Sequence, residues 1–144
     1  MTEYRSNSPA ETEKIAKDFA KKLKPGDVVT LDGDLGAGKT AFTQGLAKGL
    51  GVSDYVNSPT FTIVNCYNGD IPVYHFDVYR IEDSDEMYEV GFDEYVGGDG
   101  VAVIEWSEKI SDILPLPRYE IVILKDSSIH DDFRKIIIKE LGCV

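Results

Sequence analysis

The segment "LDGDLGAGKTAF", residues 31 to 42, constrains this chain more than any other, because it places three glycines within six positions. Gly33 and Gly38 are separated by four residues, and Lys39 and Thr40 follow at once. This spacing satisfies the pattern G-x-x-x-x-G-K-[ST]. Glycines let the backbone turn tightly and approach a ligand without a Cβ in the way. The pattern therefore indicates a loop that binds a chain of phosphates.

Each part of this loop has an expected role. Backbone N–H groups at Gly36, Ala37 and Gly38 would form a concave anion nest, and the positive end of the following helix would strengthen it. We expect Lys39 to place its ammonium on the β- and γ-phosphates of a nucleotide. We expect the Thr40 hydroxyl to be a ligand of Mg²⁺.

The flanking sequence separates this interpretation from a glycine-rich turn that merely precedes a helix. "DVVTL", residues 27 to 31, is a β-branched run typical of a buried strand. After the loop, Phe42, Leu46 and Leu50 recur at helical spacing, and Gly51 provides a stop. A strand, a loop and a helix in this order are the context that the motif requires. The sequence thus favours nucleotide binding.

Composition excludes several other classes. The 144 residues carry a formal net charge of −11, which argues against a stand-alone nucleic-acid binder but not against work on RNA within a complex. We expect no signal peptide and no membrane span. Cys66 and Cys143 are expected to be free thiols in a reducing cytoplasm. His75 and His130 are too far apart in sequence to indicate a zinc site.

The remaining patterns predict one α/β domain over residues 1–144, with a P-loop NTPase-like mixed β-sheet flanked by helices. Ser8 and Pro9 predict the start of a first helix that continues to about residue 24. The segment 58–80 predicts a hairpin around "NGD", and hence antiparallel pairing. The other predicted elements are a short helix within 82–95, the strand "VAVIEW", a short helix in "SEKISDIL", and the strands "YEIVIL" and "FRKIIIKEL".

Two acids are candidates for the chemistry beside the loop. Glu105 ends an apolar strand, where P-loop proteins place an acid that orients the metal; the alternative is an ordinary surface acid. Asp77 shares a strand face with His75 and could order the metal or the attacking water. An Asp77 that is simply hydrogen-bonded, for instance to Arg80, is weighed equally. His75 is expected to be packed and hydrogen-bonded, and Trp106 to be core or rim packing.

The stretch "SPTF" offers a further hydroxyl. Thr60 could reach the γ-phosphate or the metal, as the threonine of a switch loop does. From the residues alone we favour the other interpretation, a turn in which Ser58 and Thr60 cap backbone groups.

Taken together, "GDLGAGKT", "SPTF", "HFDVYR" and "IEW" resemble the TsaE family, the small bacterial P-loop ATPases of threonylcarbamoyladenosine (t6A) synthesis in tRNA. The resemblance runs from about residue 8 to residue 110. It implies a mixed sheet flanked by helices, binding of ATP with Mg²⁺, and slow hydrolysis by the protein alone. It also implies a complex with the TsaB and TsaD proteins, which ATP hydrolysis would reset.

The resemblance assigns further roles. It implies that Glu105 is a metal ligand and that Asp77 is catalytic, as Lys39 is through its phosphate contact. It raises the weight of Thr60 as a switch residue. It adds three nucleotide-site residues that spacing did not indicate: Thr12 near the base, and Glu108 and Arg134 near the site. The acidic stretch 82–94 would be either a docking surface or a solvated helix face.

Two residues depart from the family pattern. Ala41 stands where many members have a second hydroxyl residue, although its backbone N–H still belongs to the predicted nucleotide-binding set. Ser107 stands where proline is common. Neither change removes a group that hydrolysis requires.

The predicted function is therefore Mg²⁺-dependent ATP binding and hydrolysis in t6A modification. A small kinase would need a lid with several arginines, and the chain has only Arg5, Arg80, Arg118 and Arg134. A GTPase would need a guanine-reading N-K-x-D motif, which nothing here resembles. The alternative from another class is a non-catalytic nucleotide sensor that regulates partner assembly.

Overall fold

A computed structural model describes residues 1–33, 38–53, 56 and 63–142. Within these residues, seven strands and four α-helices are defined, together with a 3₁₀ helix at Ser107–Ile113. The strands are β1 Thr2–Ser6, β2 Val28–Gly33, β3 Val64–Tyr67, β4 Val73–Asp77, β5 Val101–Glu105, β6 Arg118–Lys125 and β7 Arg134–Leu141. The helices are α1 Pro9–Ala20, α2 Lys39–Gly49, α3 Glu86–Glu89 and α4 Phe92–Tyr95.

The strands form a single mixed sheet in the order β1-β7-β6-β2-β5-β4-β3. The four central strands β6, β2, β5 and β4 are parallel to one another, whereas β3 pairs antiparallel with β4, β7 with β6, and β1 with β7. The predicted fold class and the predicted hairpin, which is β3–β4, are both confirmed. Because β2, β5 and β4 are parallel and adjacent, their carboxyl ends meet at one edge of the sheet.

The first helix begins as predicted and ends earlier. Ser8 is the N-cap, and its Oγ accepts a hydrogen bond from the N–H of Glu11 at 3.1 Å. The helix ends at Ala20, because the N–H groups of Lys22 and Leu23 bond to carbonyls three residues back. The predicted end near residue 24 is therefore wrong, although this tightened turn still buries Leu23.

Helices α1 and α2 pack closely on one face of the sheet. A Cβ on Gly45 would lie 2.1 Å from the carbonyl oxygen of Glu13, and one on Gly49 would lie 2.6 Å from the Cβ of Ala20. These two glycines share one face of α2, so α1 can approach its backbone directly. Beside this contact, the predicted apolar stripe is buried, as shown by Phe42 with no exposed surface.

A second apolar layer covers the opposite face of the sheet. Met87 and Phe92 of the two short helices pack there with Phe76, Ile104 and Ile110. The predicted short helix in 82–95 is thus two single turns, α3 and α4. The described part of the chain contains no helix with the length and apolar character needed to cross a membrane.

Candidate active site

Five residues separate the end of β2 at Gly33 from the start of α2 at Lys39. Gly38 is the N-cap of α2 and has φ 99° and ψ 19°, a left-handed conformation that favours glycine. Strand β2 ends at Gly33 and α2 begins at Lys39, so the predicted order of strand, loop and helix is confirmed. Gly36 and Ala37 lie outside the described residues, as does Thr60.

Lys39 is buried at the start of α2, with 7% of its surface exposed. Its Nζ donates a hydrogen bond to the Gly33 carbonyl at 3.0 Å and lies 4.0 Å from the centre of the Trp106 ring. An ammonium in such a partly desolvated place is held by the carbonyl dipole and by the face of the aromatic ring. The ammonium of Lys39, the only cation of the predicted motif, therefore lies beside Gly33 at the end of β2.

Trp106 is positioned by an unusual backbone conformation. It has φ 62° and ψ 38°, and it is the only non-glycine residue with positive φ in the described part of the chain. A left-handed conformation at such a residue costs about 1–2 kcal/mol. The indole lies against Tyr79, with the ring centres 4.8 Å apart, and covers Lys39. Trp106 therefore packs at the rim, as expected, and its ring also contacts Lys39.

Glu105 ends the fully buried strand β5, beside the loop strand. It pairs in register with Leu31 of β2 and with Asp77 of β4. Only 3% of its surface is exposed, so the alternative of an ordinary surface acid is wrong. Its Oε2 lies 2.5 Å from the Nε2 of His75, which is fully buried. The expectation that His75 is packed and hydrogen-bonded is confirmed.

The Glu105 side chain lies on the α2 face of the sheet. Residues Val101 and Val103 of the same strand belong to the apolar core that contains α1 and α2, whereas Ala102 and Ile104 belong to the opposite core. Because side chains alternate along a strand, Glu105 shares the face of Val101 and Val103. That is also the face on which Lys39 begins α2.

Asp77 is half-buried next to this acid. Burial is the main cause that raises the pKa of its carboxyl, and the Glu105 carboxylate raises it further. The N–H of Tyr79, which donates to Asp77 Oδ1 at 3.1 Å, lowers the pKa, as do His75 and Lys39. Glu105, His75 and Lys39 therefore all influence the pKa of Asp77, which places the four side chains close together.

A third acid at this edge was missed by sequence reasoning. Asp32 precedes the first glycine of the loop, and its carboxylate accepts two hydrogen bonds from Ser107: from N–H at 2.9 Å and from Oγ at 2.6 Å. Burial raises the pKa of Asp32, and nearby Glu108 adds to the rise, against the lowering effect of Ser107. Ser107 thus ties the segment after Trp106 to the strand before the loop. The available signal was a carboxylate at the end of a buried and otherwise uncharged strand.

The residues implied near the nucleotide have varied surroundings. Arg134 lies beside the loop, since its Nε is 3.9 Å from where a Cβ on Gly38 would stand. Its Nη1 donates to the carbonyls of Asp131 and Phe133, both at 2.7 Å. Thr12 is buried, with its hydroxyl 2.7 Å from the Oγ of Ser6.

The start of α2 and the segment after β5 hold the other members of the predicted set. Thr40 is exposed and Ala41 is half-buried on the first turn of α2. Glu108 is exposed and acts on Asp32 at the opposite face of the sheet. Contact with a nucleotide stays a prediction for these residues, which are Thr12, Thr40, Ala41, Glu108 and Arg134.

The oxygen donors around Lys39 fit a magnesium ion. Mg²⁺ is usually bound through one or two carboxylates together with substrate phosphates and waters. Glu105 and Asp77 supply carboxylates at adjacent register positions, and Thr40 supplies a hydroxyl on the first turn of α2. In the described residues, no cluster of three or more His, Cys, Asp or Glu is arranged to hold a metal by itself.

Comparison with known proteins decides the family. The model of the family "Threonylcarbamoyl adenosine biosynthesis protein TsaE" matches residues 6–136. The chain belongs to the TsaE family. The matched span contains all the predicted site residues, from Thr12 to Arg134.

Individual relatives agree with this assignment. The TsaE protein of Bacillus subtilis strain 168 is 51% identical over 140 residues, which is 96% of this chain and 85% of the relative. The TsaE protein of Treponema pallidum is 42% identical over 118 residues, which is 82% of this chain and 86% of the relative. A crystal structure of Bacillus subtilis YdiB superposes with a TM-score of 0.79 and 44% identity, over 98% of this chain and 86% of that one.

Proposed function

We propose that this TsaE-family chain binds ATP with Mg²⁺ and hydrolyses it during t6A modification of tRNA, together with TsaB and TsaD. The family is named for threonylcarbamoyladenosine biosynthesis. The observation that carries the ATPase proposal is the position of Lys39, buried beside Gly33 where the loop leaves β2, with Glu105 ending the adjacent parallel strand.

The groups at the start of α2 support the proposal of phosphate binding. In the structure Lys39 donates to the carbonyl of Gly33 and lies over Trp106. A triphosphate offers the ammonium stronger, charged acceptors than a neutral carbonyl. The first-turn N–H groups of α2 would add donors, and Arg134 beside Gly38 would add a second cation. These groups would concentrate positive charge at one place in a chain whose formal net charge is −11.

The acids would act on the metal and on water. Thr40 and Glu105 would hold Mg²⁺, either directly or through water. Bound Mg²⁺ would supply neutralisation of the charge that develops on the transferred phosphoryl group. Asp77, whose pKa is raised by burial and by Glu105, would orient the attacking water in line with the γ-phosphate. Lys39 would stabilise the developing charge.

Partners complete the proposal. We expect slow turnover by the chain alone, because arginines that stabilise the transition state are often supplied by a second protein. TsaB and TsaD would provide such groups or the geometry that assembles them, and hydrolysis would reset the complex. Because the proposed substrate of the pathway is tRNA, we also propose that the chain works in the cytoplasm.

Reconstitution with partner proteins tests the proposal. TsaB, TsaD, tRNA and the substrates of the modification would be combined with this chain and either ATP or a non-hydrolysable analogue. Multiple rounds of t6A formation with ATP and not with the analogue would support an ATPase that resets the complex. An equal number of rounds of t6A formation with ATP and with the analogue would contradict a requirement for hydrolysis and favour a nucleotide-sensing module.

Glu105→Ala provides the matched single-turnover experiment. This variant should bind metal-free ATP like the wild type but lose Mg²⁺-dependent hydrolysis, because its metal ligand is gone. Equal hydrolysis rates in wild type and Glu105→Ala would refute the role of Glu105.

A further inference from the structure

A buried hydrogen bond joins the imidazole of His75 to the carboxylate of Glu105. The Nε2–Oε2 distance is 2.5 Å, and the two side chains are 0% and 4% exposed. The residues lie on neighbouring strands and are offset by two positions, since His75 pairs with Val103 and Asp77 pairs with Glu105. The bond therefore reaches diagonally toward the edge of the sheet where Lys39 lies.

We propose that His75 is a positioning residue that fixes the Glu105 carboxylate in the orientation needed to bind Mg²⁺. This inference rests on the proposed function, in which Glu105 holds the metal. The contact uses one of the acceptor positions of the carboxylate, so Glu105 could still hold an ion or its water with the remaining ones. Ligating carboxylates are commonly oriented by such outer hydrogen bonds, whose removal weakens metal affinity.

The sheet fixes the backbone of Glu105 but not its side chain, so the side chain is the part that needs positioning. Its backbone is held between β2 and β4, and its carbonyl accepts a hydrogen bond from the N–H of Val78 at 3.3 Å. A glutamate nevertheless retains three side-chain torsions, and freezing them has an entropic cost. The His75 bond fixes them before a ligand arrives, which is the role of a preorganised site.

The other ring nitrogen shows that packing alone does not explain a histidine here. Nδ1 of His75 is buried and has no hydrogen-bond partner among the described residues. A buried polar atom without a partner is unfavourable, and an apolar side chain of similar size would avoid that cost. The compensating interaction is the one that Nε2 makes with Glu105. Since a carboxylate accepts, Nε2 carries the hydrogen.

The test measures metal affinity apart from hydrolysis. Mn²⁺ bound to the protein with a saturating non-hydrolysable ATP analogue would be followed by electron paramagnetic resonance, with Mg²⁺ as competitor and the analogue alone as blank. Nucleotide affinity would be measured separately in a metal chelator. The variants are His75→Leu, which cannot donate, and His75→Gln, whose amide can reach Glu105. Tyr74→Phe is the control, because Tyr74 lies on the same strand and bonds Asp99 instead.

The expected result is a metal-specific loss. His75→Leu should weaken Mn²⁺ affinity by about 10–100-fold while metal-free nucleotide affinity stays within about twofold. His75→Gln should recover most of the loss, and Tyr74→Phe should match the wild type. In a Glu105→Gln background, His75→Leu should cause no further loss, because the two residues act through one contact.

Several results would overturn the inference. Unchanged Mn²⁺ affinity in His75→Leu would do so, as would an equal loss of metal and metal-free nucleotide affinity or no recovery with glutamine. If His75→Leu fails to fold, His75→Gln is compared with His75→Asn, whose shorter amide does not reach Glu105; equal affinities would then overturn it. A wild type that binds no nucleotide, or no metal with nucleotide, would instead refute the proposed function.

Discussion

Ser107 donates two hydrogen bonds to the Asp32 carboxylate, one from its backbone N–H and one from its hydroxyl, across 75 positions of sequence. The contact links the segment after β5 to the end of β2, which precedes the predicted phosphate-binding loop. It thereby restrains Trp106, whose left-handed backbone precedes Ser107 and whose ring covers Lys39. Ser107 thus has a structural role beside the predicted site.

Ser107→Ala should lower the free energy of unfolding by about 1–3 kcal/mol, because a buried hydroxyl that bonds a carboxylate is lost. Urea denaturation measures this change. Ser128→Ala is the matched control, since Ser128 also donates its N–H and hydroxyl to an aspartate, Asp126, but at an exposed turn. If Ser107→Ala lowered the free energy of unfolding no more than Ser128→Ala does, the Ser107–Asp32 contact would not stabilise the fold as proposed.

Stability should depend on pH through Asp32. Burial raises its folded-state pKa above the ordinary 3.8, so between these two values the folded state binds more protons than the unfolded state. Its contribution to the free energy of unfolding therefore falls as pH rises from about 3.8 through the folded pKa, and is constant above it. Asp32→Asn removes this dependence.

The stability difference between Asp32→Asn and wild type should accordingly shift in favour of the variant over that pH range. Denaturant unfolding at a series of pH values measures it. A difference that is flat with pH, or that shifts toward the wild type, would show that the pKa is not raised.

The helix crossing gives a graded prediction. Alanine is ordinarily preferred over glycine inside a helix by about 1 kcal/mol. At Gly45, however, the added Cβ would meet the Glu13 carbonyl at 2.1 Å, and overpacking typically costs about 1–3 kcal/mol. We expect Gly45→Ala to be destabilising and Gly45→Val more so, as measured by thermal unfolding. A stabilised Gly45→Ala would mean that α1 and α2 do not touch here.

Trp106 should report nucleotide binding, because it is the only tryptophan of the chain and Lys39 lies over its ring. When the ammonium moves to a phosphate, the indole loses that charge, and its emission should change. Titration with ATP would measure the change, and Lys39→Ala should show little of it. If the Trp106 emission did not change when ATP binds, the indole would not be close to the nucleotide site.

Local patterns were sufficient to predict a strand before the glycine-rich segment and a helix after it, the hairpin, and the position of Glu105 at the end of an apolar strand. The glycine spacing, the "NGD" turn and the apolar run before Glu105 are each contained within a few residues. Strand β1 was missed because "TEYRS" is mostly exposed and is held by pairing with β7, far away in sequence. Its formation depends on a partner that a local pattern does not contain.

The same physical reason explains what was missed in the site. The Ser107–Asp32 contact and the His75–Glu105 bond join different strands, and strand order is not written in the spacing of either residue. Gly45 and Gly49 likewise interrupt a helix pattern, and only the position of α1 explains them. Sequence patterns identified candidate residues such as Lys39 and Glu105, whereas three-dimensional packing determined which side chains contact each other.

The most direct test of the central claim is equilibrium binding of ATP to the wild type and to Lys39→Ala, with and without Mg²⁺. Lys39 is buried between Gly33 and Trp106 at the start of α2, so its ammonium should be required for the triphosphate. The account predicts ATP binding by the wild type, tighter with Mg²⁺, and none detectable by a folded Lys39→Ala protein. Equal ATP affinities for the two proteins would contradict it.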